Sequence, residues 1–422
     1  MIKRPTIAAV IAEYNPFHNG HSYLIEEAKR KTGAEKLIII MSGDFVQRGE
    51  PAIADKYDRA YTACRNGADA VFLMPFTASI SSAADFAYGG IQTANAFGCI
   101  DHLVFGAEND DISVLSKAAE DTLAIDEDPE LQKHLSKLIS TGKTYPEAMS
   151  IVMANSKRTD SADCLRSPNN TLAVNYLIAL KKTNSDITPV AVKRKGAGHN
   201  DGMDPQTSTA SATSIRKALR GNHISDILDV IPGEMAEILA TYRNGFISCN
   251  DLSNMLFYRL GQFMEESFNK ADFSKKMSIY SDMTDALALR LYSKYHEAYT
   301  WDELAAAVWA KNLTYSRIDR TLLHVLFNIT DELKKNLNKE STAGYLRPLA
   351  INRDSIDLLT YIKESGKAPL ITRLSDAKEL KENAAKDFAK SLTAADIYRR
   401  IYSIEHSHEC HDEYGRDFMI IL

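Results

Sequence analysis

The chain has 422 residues, of which 45% are hydrophobic and 25% are charged, and its formal net charge is −6. This is the composition of a soluble globular protein, and the length predicts two or three domains. The apolar runs are too short to cross a bilayer, and the acidic total excludes a general attraction to nucleic acid, so RNA binding would need local basic patches.

The N-terminus predicts a cytoplasmic protein without a membrane partner. A Lys-Arg pair precedes the first apolar run, as in a signal peptide, but that run is short and ends in charge, with no small-residue cleavage site. The cysteines are scattered and form no CxxC pair, which argues against a zinc ribbon or a disulfide framework. They are Cys64, Cys99, Cys164, Cys249 and Cys410.

Strand and helix patterns alternate through the first quarter of the chain. The apolar runs "TIAAVIA", "KLIIIM", "DAVFLMPF" and "HLVFG" predict strands, and helix-periodic segments lie between them at 19–32, 53–66 and 84–98. Such alternation indicates an α/β fold with a parallel sheet built from right-handed βαβ units. "TPVAVKR" at 188–194 predicts a further strand, and "SATSIRKALRGN" at 211–222 predicts a capped helix.

The pattern changes after about residue 222. Long helix-periodic segments follow at 233–243, 250–268, 282–297, 301–310 and 314–337, and only "YLRPLAI" and "APLITRL" suggest short strands. We therefore expect a domain boundary between residues 222 and 250. The Tyr and Trp of "YTWDEL" are expected in the core of this helical part rather than in a base-stacking platform.

The stretch "EYNPFHNGH" at 13–21 lies between the first strand and the first helix, where open parallel sheets bind ligands. Pro16 stiffens the turn, and Gly20 allows a close approach. His18 and His21 are three residues apart at a helix N-terminus, where free N–H groups favour a polyphosphate. Two imidazoles could donate hydrogen bonds to the charge that develops on an α-phosphate during attack. The alternatives are an ordinary helix cap, or a zinc site that would lack a third ligand nearby.

Two motifs resemble signatures of the nucleotidyltransferase superfamily of class I synthetase-like folds. "NPFHNGH" after a strand resembles its HxGH signature, and "SATSIRKAL" at 211–219 resembles I-S-S-T-x-I-R, with Ala212 in place of one Ser. The resemblance implies that hydroxyl groups and an arginine of the second motif contact the triphosphate. A plain capping helix is the alternative for this segment.

A longer series of motifs resembles the bacterial tRNA(Met) cytidine acetate ligase family. In chain order these are "AEYNPFHNGH", "MSGDFVQRGEPA", "NGADAVFLMPF", "VFGAEN", "SPNNTLAVNY" and "SATSIRKAL", with fainter matches at "YTWDEL", "LTYSRIDR" and "YLRPLAI". The resemblance implies a Rossmann-like nucleotidyltransferase domain over 1–225, followed by a mainly helical, tRNA-binding domain over 226–422. The implied reaction adenylates acetate with ATP and passes the acetyl group to the exocyclic amine of the wobble cytidine of elongator tRNA(Met). Mg²⁺ is expected with ATP, but no acidic motif in the sequence identifies the residues that would bind it.

The resemblance also assigns site residues. The implied catalytic residues are His18, His21 and Arg216. The implied ATP-binding residues are Ile11, Ala12, Glu13, Tyr14, Asn15, Pro16, Phe17, His18, Asn19, Gly20, His21, Ser22, Tyr23, Leu24, Gly106, Asn169, Arg194, Lys195, Ser211, Thr213 and Ser214. Unaided, Gly106 could be a turn glycine, Asn169 an Asx turn, and the Arg194-Lys195 pair a solvated charge run.

Local basic clusters are the candidates for tRNA contacts, because phosphates attract them even on an acidic protein. The predicted tRNA-binding residues are Lys217, Arg220, Arg317, Arg320, Lys334 and Lys335. Lys56 and Arg59, three apart on a predicted helix, could face the triphosphate or tRNA, or form an exposed basic face.

Two other functions remain open from the sequence. An adenylyltransferase for a small-molecule cofactor precursor would keep both signatures but would have no use for so long a helical half. A non-catalytic, nucleotide-sensing RNA-binding protein would bind ATP without turnover. The oligomeric state and the basis of acetate selectivity cannot be read from the sequence.

Overall fold

The structure is a computed structural model that describes residues 4–194, 210–221, 223–415 and 417–422. Within these ranges the strands are β1 (Ile7–Ala12), β2 (Lys36–Met41), β3 (Phe45–Val46), β4 (Glu50–Pro51), β5 (Ala70–Leu73), β6 (His102–Ala107), β7 (Thr188–Lys193), β8 (Arg347–Asn352) and β9 (Met419–Ile421).

The α-helices of the first half connect the strands up to β7, and five of them follow one another between β6 and β7. They are α1 (Asn19–Thr32), α2 (Lys56–Arg65), α3 (Phe76–Ser79), α4 (Ala83–Phe97), α5 (Ile112–Glu127), α6 (Pro129–Ser140), α7 (Tyr145–Asn155), α8 (Thr159–Cys164), α9 (Pro168–Lys182) and α10 (Ala212–Arg220).

The second half is mainly helical. Its α-helices are α11 (Gly233–Leu239), α12 (Ser253–Glu266), α13 (Lys270–Met277), α14 (Asp285–Lys294), α15 (Trp301–Val308), α16 (Tyr315–Leu326), α17 (Asp331–Leu337), α18 (Leu358–Ser365) and α19 (Glu382–Glu405). Short 3₁₀ helices lie at Ile224–Val230, Cys249–Leu252, Tyr295–Glu297, Arg353–Ser355 and Leu374–Glu379. No helix in the described ranges combines the length and apolar character that a bilayer crossing requires.

The main sheet has the strand order β7-β6-β1-β2-β5-β8-β9. The first five strands of this order run parallel, with β1 in register with β2 from Ile7 opposite Lys36 to Ala12 opposite Met41. After β1 the chain builds β2 and β5 on one side and then crosses to place β6 on the other. The crevice between the carboxyl ends of β1 and β6 is therefore the topological switch point, where such sheets bind ligands.

The sheet also takes two strands from the second half of the chain. β8 pairs antiparallel with β5, and β9 pairs parallel with β8. The strand predicted at "YLRPLAI" is confirmed by β8, whereas "APLITRL" contributes only an isolated bridge between Leu346 and Leu370. The domain division near residue 225 remains a prediction.

Both faces of the sheet are buried, which explains why its strands are continuously apolar rather than alternating. Along β1, Ala8 and Val10 belong to one core cluster, whereas Ile7 and Ala9 belong to the other. The first cluster continues into the helical half and includes Trp301, which is fully buried, as expected from the sequence. The same expectation is wrong for Tyr299, which is 81% exposed. Most of the helical half therefore packs on one face of the sheet, whereas Leu358 and Ile362 of α18 belong to the cluster on the other face.

Candidate active site

The turn that follows β1 is buried and aromatic. Tyr14 adopts a left-handed backbone conformation with φ of 52°, and its side chain and that of Phe17 enter the core. The ring centroids of Tyr14 and Phe17 lie 4.7 and 5.5 Å from that of His21. The aromatic residues of this stretch therefore pack against the His21 ring and hold it in place.

His18 and His21 form a stacked pair at the N-terminus of α1. Their ring centroids are 3.7 Å apart, with an angle of 23° between the planes. His18 is the N-cap residue, and its Nδ1 accepts a hydrogen bond of 3.1 Å from the Gly20 N–H. The Nδ1 of His21 accepts from the His18 N–H at 3.2 Å. Because both Nδ1 atoms accept hydrogen bonds, each neutral ring carries its proton on Nε2 and can donate it to a ligand.

The two imidazoles are neutral near physiological pH. Burial lowers the pKa of His18 to about 3, and the positive charges of Arg194 and Arg216 act in the same direction. Burial and the neighbouring His18 also lower the pKa of His21 well below its ordinary value. The rings thus offer hydrogen bonds without bringing positive charge. Gly20 is required here, because a Cβ at this position would lie 2.9 Å from Cε1 of His18.

The second signature motif lies against this turn. The hydroxyl of Ser211 caps α10 by accepting a hydrogen bond of 3.1 Å from the Ser214 N–H. Arg216, on the first turns of α10, is buried and donates from Nη1 to the carbonyl oxygen of Asn15 at 2.8 Å. Its Nη2 lies 3.0 Å from Oε1 of Glu50, whose other oxygen contacts Arg220 at 3.2 Å. The two motifs, far apart in sequence, therefore meet in the structure, while Thr213 is exposed on the same helix.

The other side of the crevice is formed by β6, β7 and α9. A Cβ at Gly106 would lie 3.3 Å from Cγ of Arg194, so the glycine lets the Arg194 side chain cross the strand end. Asn169 donates to Oε1 of Glu108 at 2.6 Å, and the Asn170 N–H donates to Oε2 at 2.9 Å. Glu108 therefore ties the end of β6 to the start of α9. Lys195 lies outside the described residues.

The remaining predicted nucleotide contacts do not all face the crevice. Asn19 donates to the Asp229 carbonyl at 3.0 Å, and the Tyr23 hydroxyl donates to the Lys193 carbonyl at 3.4 Å. Ser22 donates instead to Asn66 at the end of α2, at 3.2 Å, and Leu24 packs against the core. Ile11 and Ala12 end β1, and Glu13 accepts from the Gln47 N–H at 2.6 Å. Burial raises the pKa of Glu13.

The predicted tRNA contacts divide into two groups. Lys217, Arg220 and Lys335 are exposed, and Arg317 is half-buried. Arg320 and Lys334 are instead buried, where Nε of Arg320 lies 3.3 Å from Oδ2 of Asp282, and Nζ of Lys334 lies 2.8 Å from Oδ2 of Asp85. Each of these two cations is paired with a carboxylate away from the surface, so the tRNA-binding role predicted for Arg320 and Lys334 does not fit the structure.

Lys56 and Arg59 are also buried, so neither forms the exposed basic face that the sequence allowed. The guanidinium of Arg59 donates hydrogen bonds of 2.5 to 3.1 Å to the carbonyl oxygens of Glu13, Ser42, Gly43 and Ala54. Lys56 pairs with Asp44 at 2.6 Å and also with Glu413, which in turn pairs with Arg347. These two cations hold the strand ends in place rather than a ligand.

Sequence reasoning missed Glu50 and Glu108. Each acidic side chain is held by partners that are distant in the sequence, and no local pattern marks them.

The described ranges contain no group of three or more His, Cys, Asp or Glu side chains that could hold a metal ion.

Comparisons with known proteins identify the family and the fold of the chain. The family described as HIGH Nucleotidyl Transferase matches residues 6–413. The tRNA(Met) cytidine acetate ligase of Thermoanaerobacter sp. (strain X514) is 33% identical over 400 residues, covering 94% of this chain and 95% of the relative. That of Halothermothrix orenii is 33% identical over 427 residues, covering 98% of each chain. The crystal structure of Thermotoga maritima TmcAL bound with alpha-thio ATP has a TM-score of 0.85 and 26% identity, covering 98% of this chain and 99% of that chain.

Proposed function

Because this chain belongs to the tRNA(Met) cytidine acetate ligase family, we propose that it activates acetate with ATP and acetylates the wobble cytidine of elongator tRNA(Met). The observation that carries the proposal is the contact between Arg216 and the Asn15 carbonyl, which joins the two signature motifs around one crevice. The relatives' coverage of nearly the whole chain supports the same reaction for this protein.

In the first step, a carboxylate oxygen of acetate attacks the α-phosphorus of ATP. The bond from this phosphorus to the bridging oxygen of pyrophosphate breaks, which gives acetyl-adenylate and pyrophosphate. The Nε2–H groups of His18 and His21 would donate to the α-phosphate oxygens as charge builds, and the N–H groups of α1 add their partial positive charge. Positioning and charge stabilisation are enough here, so no covalent nucleophile is required.

The triphosphate would extend toward α10, where Ser211, Thr213 and Ser214 offer hydroxyls and Arg216 offers a guanidinium. Arg194, which crosses Gly106 at the end of β6, would hold the nucleotide from the opposite wall. Asn169 is held by Glu108 on the same side. Such contacts would hold the nucleotide across the switch point of the sheet.

In the second step, the exocyclic amine of the cytidine attacks the acetyl carbonyl carbon of the adenylate. AMP leaves as the carbon–oxygen bond breaks, and the nitrogen loses one proton. An anticodon-loop base is already single-stranded, so the cost of presenting it to the enzyme is small.

We further propose that the second half of the chain, from residue 226, contributes the tRNA contacts, and that the reaction takes place in the cytoplasm. Mg²⁺ is expected to arrive with the ATP phosphates, since this ion is commonly held by one or two carboxylates together with substrate oxygens. The described residues do not form a protein cage for it, and none of the steps above is assigned to the ion.

The decisive experiment incubates the protein with elongator tRNA(Met), ATP and isotope-labelled acetate, and then digests the tRNA for mass spectrometry. We expect the label on the wobble cytidine, and only when ATP is present. Unlabelled tRNA after incubation with folded protein, ATP and acetate would contradict the proposal.

A pyrophosphate-release assay separates the first rival function. Acetate should drive release from ATP, whereas phosphopantetheine or nicotinamide mononucleotide should not. Release that depends on either of these two compounds would favour the cofactor adenylyltransferase. ATP binding without any turnover would favour the nucleotide-sensing RNA-binding protein.

A further inference from the structure

A large open cavity lies beside the candidate active site, on the far side of Arg216. Its volume is about 790 Å³, within the range of ligand-binding clefts. Its walls come from the loop that carries Glu50, from α10, from residues 245–250 and from the α15–α16 pair. None of His18, His21, Gly106 or Arg194 lines it, whereas Thr213 and Arg216 do, so the cavity adjoins the crevice assigned to ATP along α10.

One stripe of α10 forms the wall that the cavity shares with the ATP site. Thr213, Arg216, Lys217 and Arg220 all line the cavity, and their spacing of three, four and seven residues places them on one helical face. Arg216 also reaches the Asn15 carbonyl in the turn before His18. A ligand in the cavity would therefore lie next to the group that contacts the catalytic turn.

The charges of the cavity favour an anionic ligand. Arg48, Arg216, Lys217 and Arg220 line it, against the acidic side chains Glu50, Asp302 and Asp319. Burial, with the nearby carboxylates of Asp302 and Glu50, raises the pKa of Asp319 to about 7. Partial protonation of Asp319 near neutral pH reduces the negative charge of the cavity. The cavity is therefore suited to the phosphates of a bound chain.

Aromatic rings supply a second kind of surface. Phe246 lines the cavity and stacks on Tyr242, with 5.6 Å between centroids and 20° between planes. Trp309 and Tyr315 are 46% and 53% exposed, and their rings are nearly parallel, at 19°, with centroids 6.4 Å apart. Single-stranded nucleic acid is bound in this way, by aromatic faces beside a basic groove.

The exposed ring pair lies at the edge of the cavity. Ser316 and Asp319 line the cavity. Tyr315 directly precedes Ser316 and lies one helical turn before Asp319. The indole of Trp301 donates to Asp319 at 2.9 Å, which fixes α15 against α16. Lys311 and Arg317 lie in the same short segment, 309–317, and add two positive charges beside the rings.

We propose that this cavity, with Trp309 and Tyr315 at its edge, receives the single-stranded anticodon loop of the acceptor RNA. Loop bases stack on the two rings, and the nucleotide to be acetylated enters the cavity toward Arg216. This inference rests on the proposed function, because it takes the acceptor to be an RNA loop. It assigns the acceptor side of the reaction to the α15–α16 wall and to Lys217 and Arg220 of α10, and the ATP side to the β1–β6 crevice and the start of α10.

Tryptophan fluorescence tests the proposal directly. The chain contains two tryptophans, and Trp301 is fully buried. A ligand that stacks at the surface therefore changes the fluorescence of Trp309, which reports on binding. The anticodon stem-loop of elongator tRNA(Met), titrated into the full chain, should quench this fluorescence. Trp309→Ala and Tyr315→Ala should each weaken binding about tenfold, as expected for the loss of one base-stacking ring. Because the Trp309 variants lose the reporter, the affinities of all variants are measured from the fluorescence anisotropy of a dye-labelled stem-loop.

Conservative variants and a matched control separate stacking from general damage. Trp309→Phe and Tyr315→Phe keep a ring, so each should bind the stem-loop at least fivefold more tightly than the corresponding alanine variant. Phe268→Ala removes an aromatic residue that is 95% exposed in the same helical half but does not line the cavity, and it should bind like the wild type. Alanine variants that bind the stem-loop as tightly as Phe268→Ala would overturn the proposal.

The failure of this inference can be told apart from failure of the proposed function. Acetate-dependent exchange between ATP and pyrophosphate by the wild type, without RNA, tests acetate activation alone. Its absence would refute the acetate ligase. Exchange that is present, with stem-loop binding unaffected by the alanine variants, would refute only the RNA-binding surface.

Discussion

Arg216 donates a hydrogen bond of 2.8 Å from Nη1 to the carbonyl oxygen of Asn15, which lies 201 positions earlier in the chain. The same guanidinium contacts Glu50, so one buried side chain joins α10, the turn after β1 and the loop after β2. A planar guanidinium with donors on several sides is suited to such a junction. A change at Arg216 or its partners should therefore affect both the ATP crevice and the neighbouring cavity.

Replacing either histidine of the stacked pair should impair acetate activation. His18→Ala or His21→Ala removes one Nε2–H donor, and losing a single donor to developing charge typically costs about 10²- to 10³-fold in rate. Acetate-dependent ATP–pyrophosphate exchange measures this step. His296→Ala, an exposed histidine of the helical half, serves as the control. An unchanged rate in His18→Ala would show that the ring does not act on the phosphate.

The protonation of the pair should not change between pH 8 and 5, because burial keeps the pKa of His18 at about 3 and that of His21 well below normal. Nitrogen NMR at pH 6 should find Nε2 protonated and Nδ1 unprotonated in both rings. Titration of either ring near pH 6.5 would contradict this assignment.

The lowered pKa of His18 also determines how the unfolding free energy changes with pH. A buried neutral histidine stabilises the fold above its unfolded pKa of about 6.5, and this stability is lost as the pH falls toward the lowered folded value. Between pH 6 and 4 the unfolding free energy of the wild type should therefore fall more steeply than that of His18→Asn. Urea unfolding at a series of pH values compares the two slopes, and equal slopes would contradict the prediction.

Glu50→Gln should destabilise the protein, because it leaves the buried guanidinium of Arg216 without its carboxylate. Breaking a buried pair from one side is costly, and we expect a loss of about 2 kcal/mol at this partly screened site. Glu382→Gln breaks the exposed pair with Lys386 and should leave the unfolding free energy nearly unchanged. Urea unfolding of both variants provides the comparison, and equal losses would show that Arg216 does not depend on Glu50.

Gly49→Ala should be far more damaging than Gly33→Ala. Both glycines have positive φ, 82° and 64°, so both substitutions carry the conformational cost of about 1 kcal/mol. A Cβ at Gly49 would also lie 2.3 Å from the backbone nitrogen of Arg320, whereas none of the described atoms lies within 4 Å of one at Gly33. We expect a loss of about 3 kcal/mol or more at Gly49, measured by thermal unfolding. Similar melting temperatures for the two variants would contradict the close contact between this loop and α16.

The parts of the site that sequence could predict are those set by local chemistry. The strand, turn and helix around "EYNPFHNGH" and the capped α10 follow from apolar runs, a proline, a glycine and capping residues within a few positions of one another. The parallel sheet follows from the alternation of apolar and helix-periodic segments. The convergence of His18 with Arg216 was expected only because the motifs resemble a known family.

The rest depends on partners that are remote in the sequence. Lys56 and Arg320 look like available cations in their own segments, but Glu413 and Asp282 neutralise them. Glu50 has no local signal, because its partners Arg216 and Arg220 lie on α10. Whether a charged side chain serves RNA, ATP or the fold is therefore decided by tertiary contacts that no short pattern contains.

The antiparallel pairing of β8 with β5 has a consequence for the order in which the protein matures. A ribosome delivers the first half of the chain well before residue 347 emerges, and until then β5 is an uncovered edge with unpaired backbone groups. Such edges invite association with other chains during synthesis. The nascent first half of the chain must wait for a late segment to complete its sheet, so translation timing and chaperone protection bear on how much active protein a cell obtains.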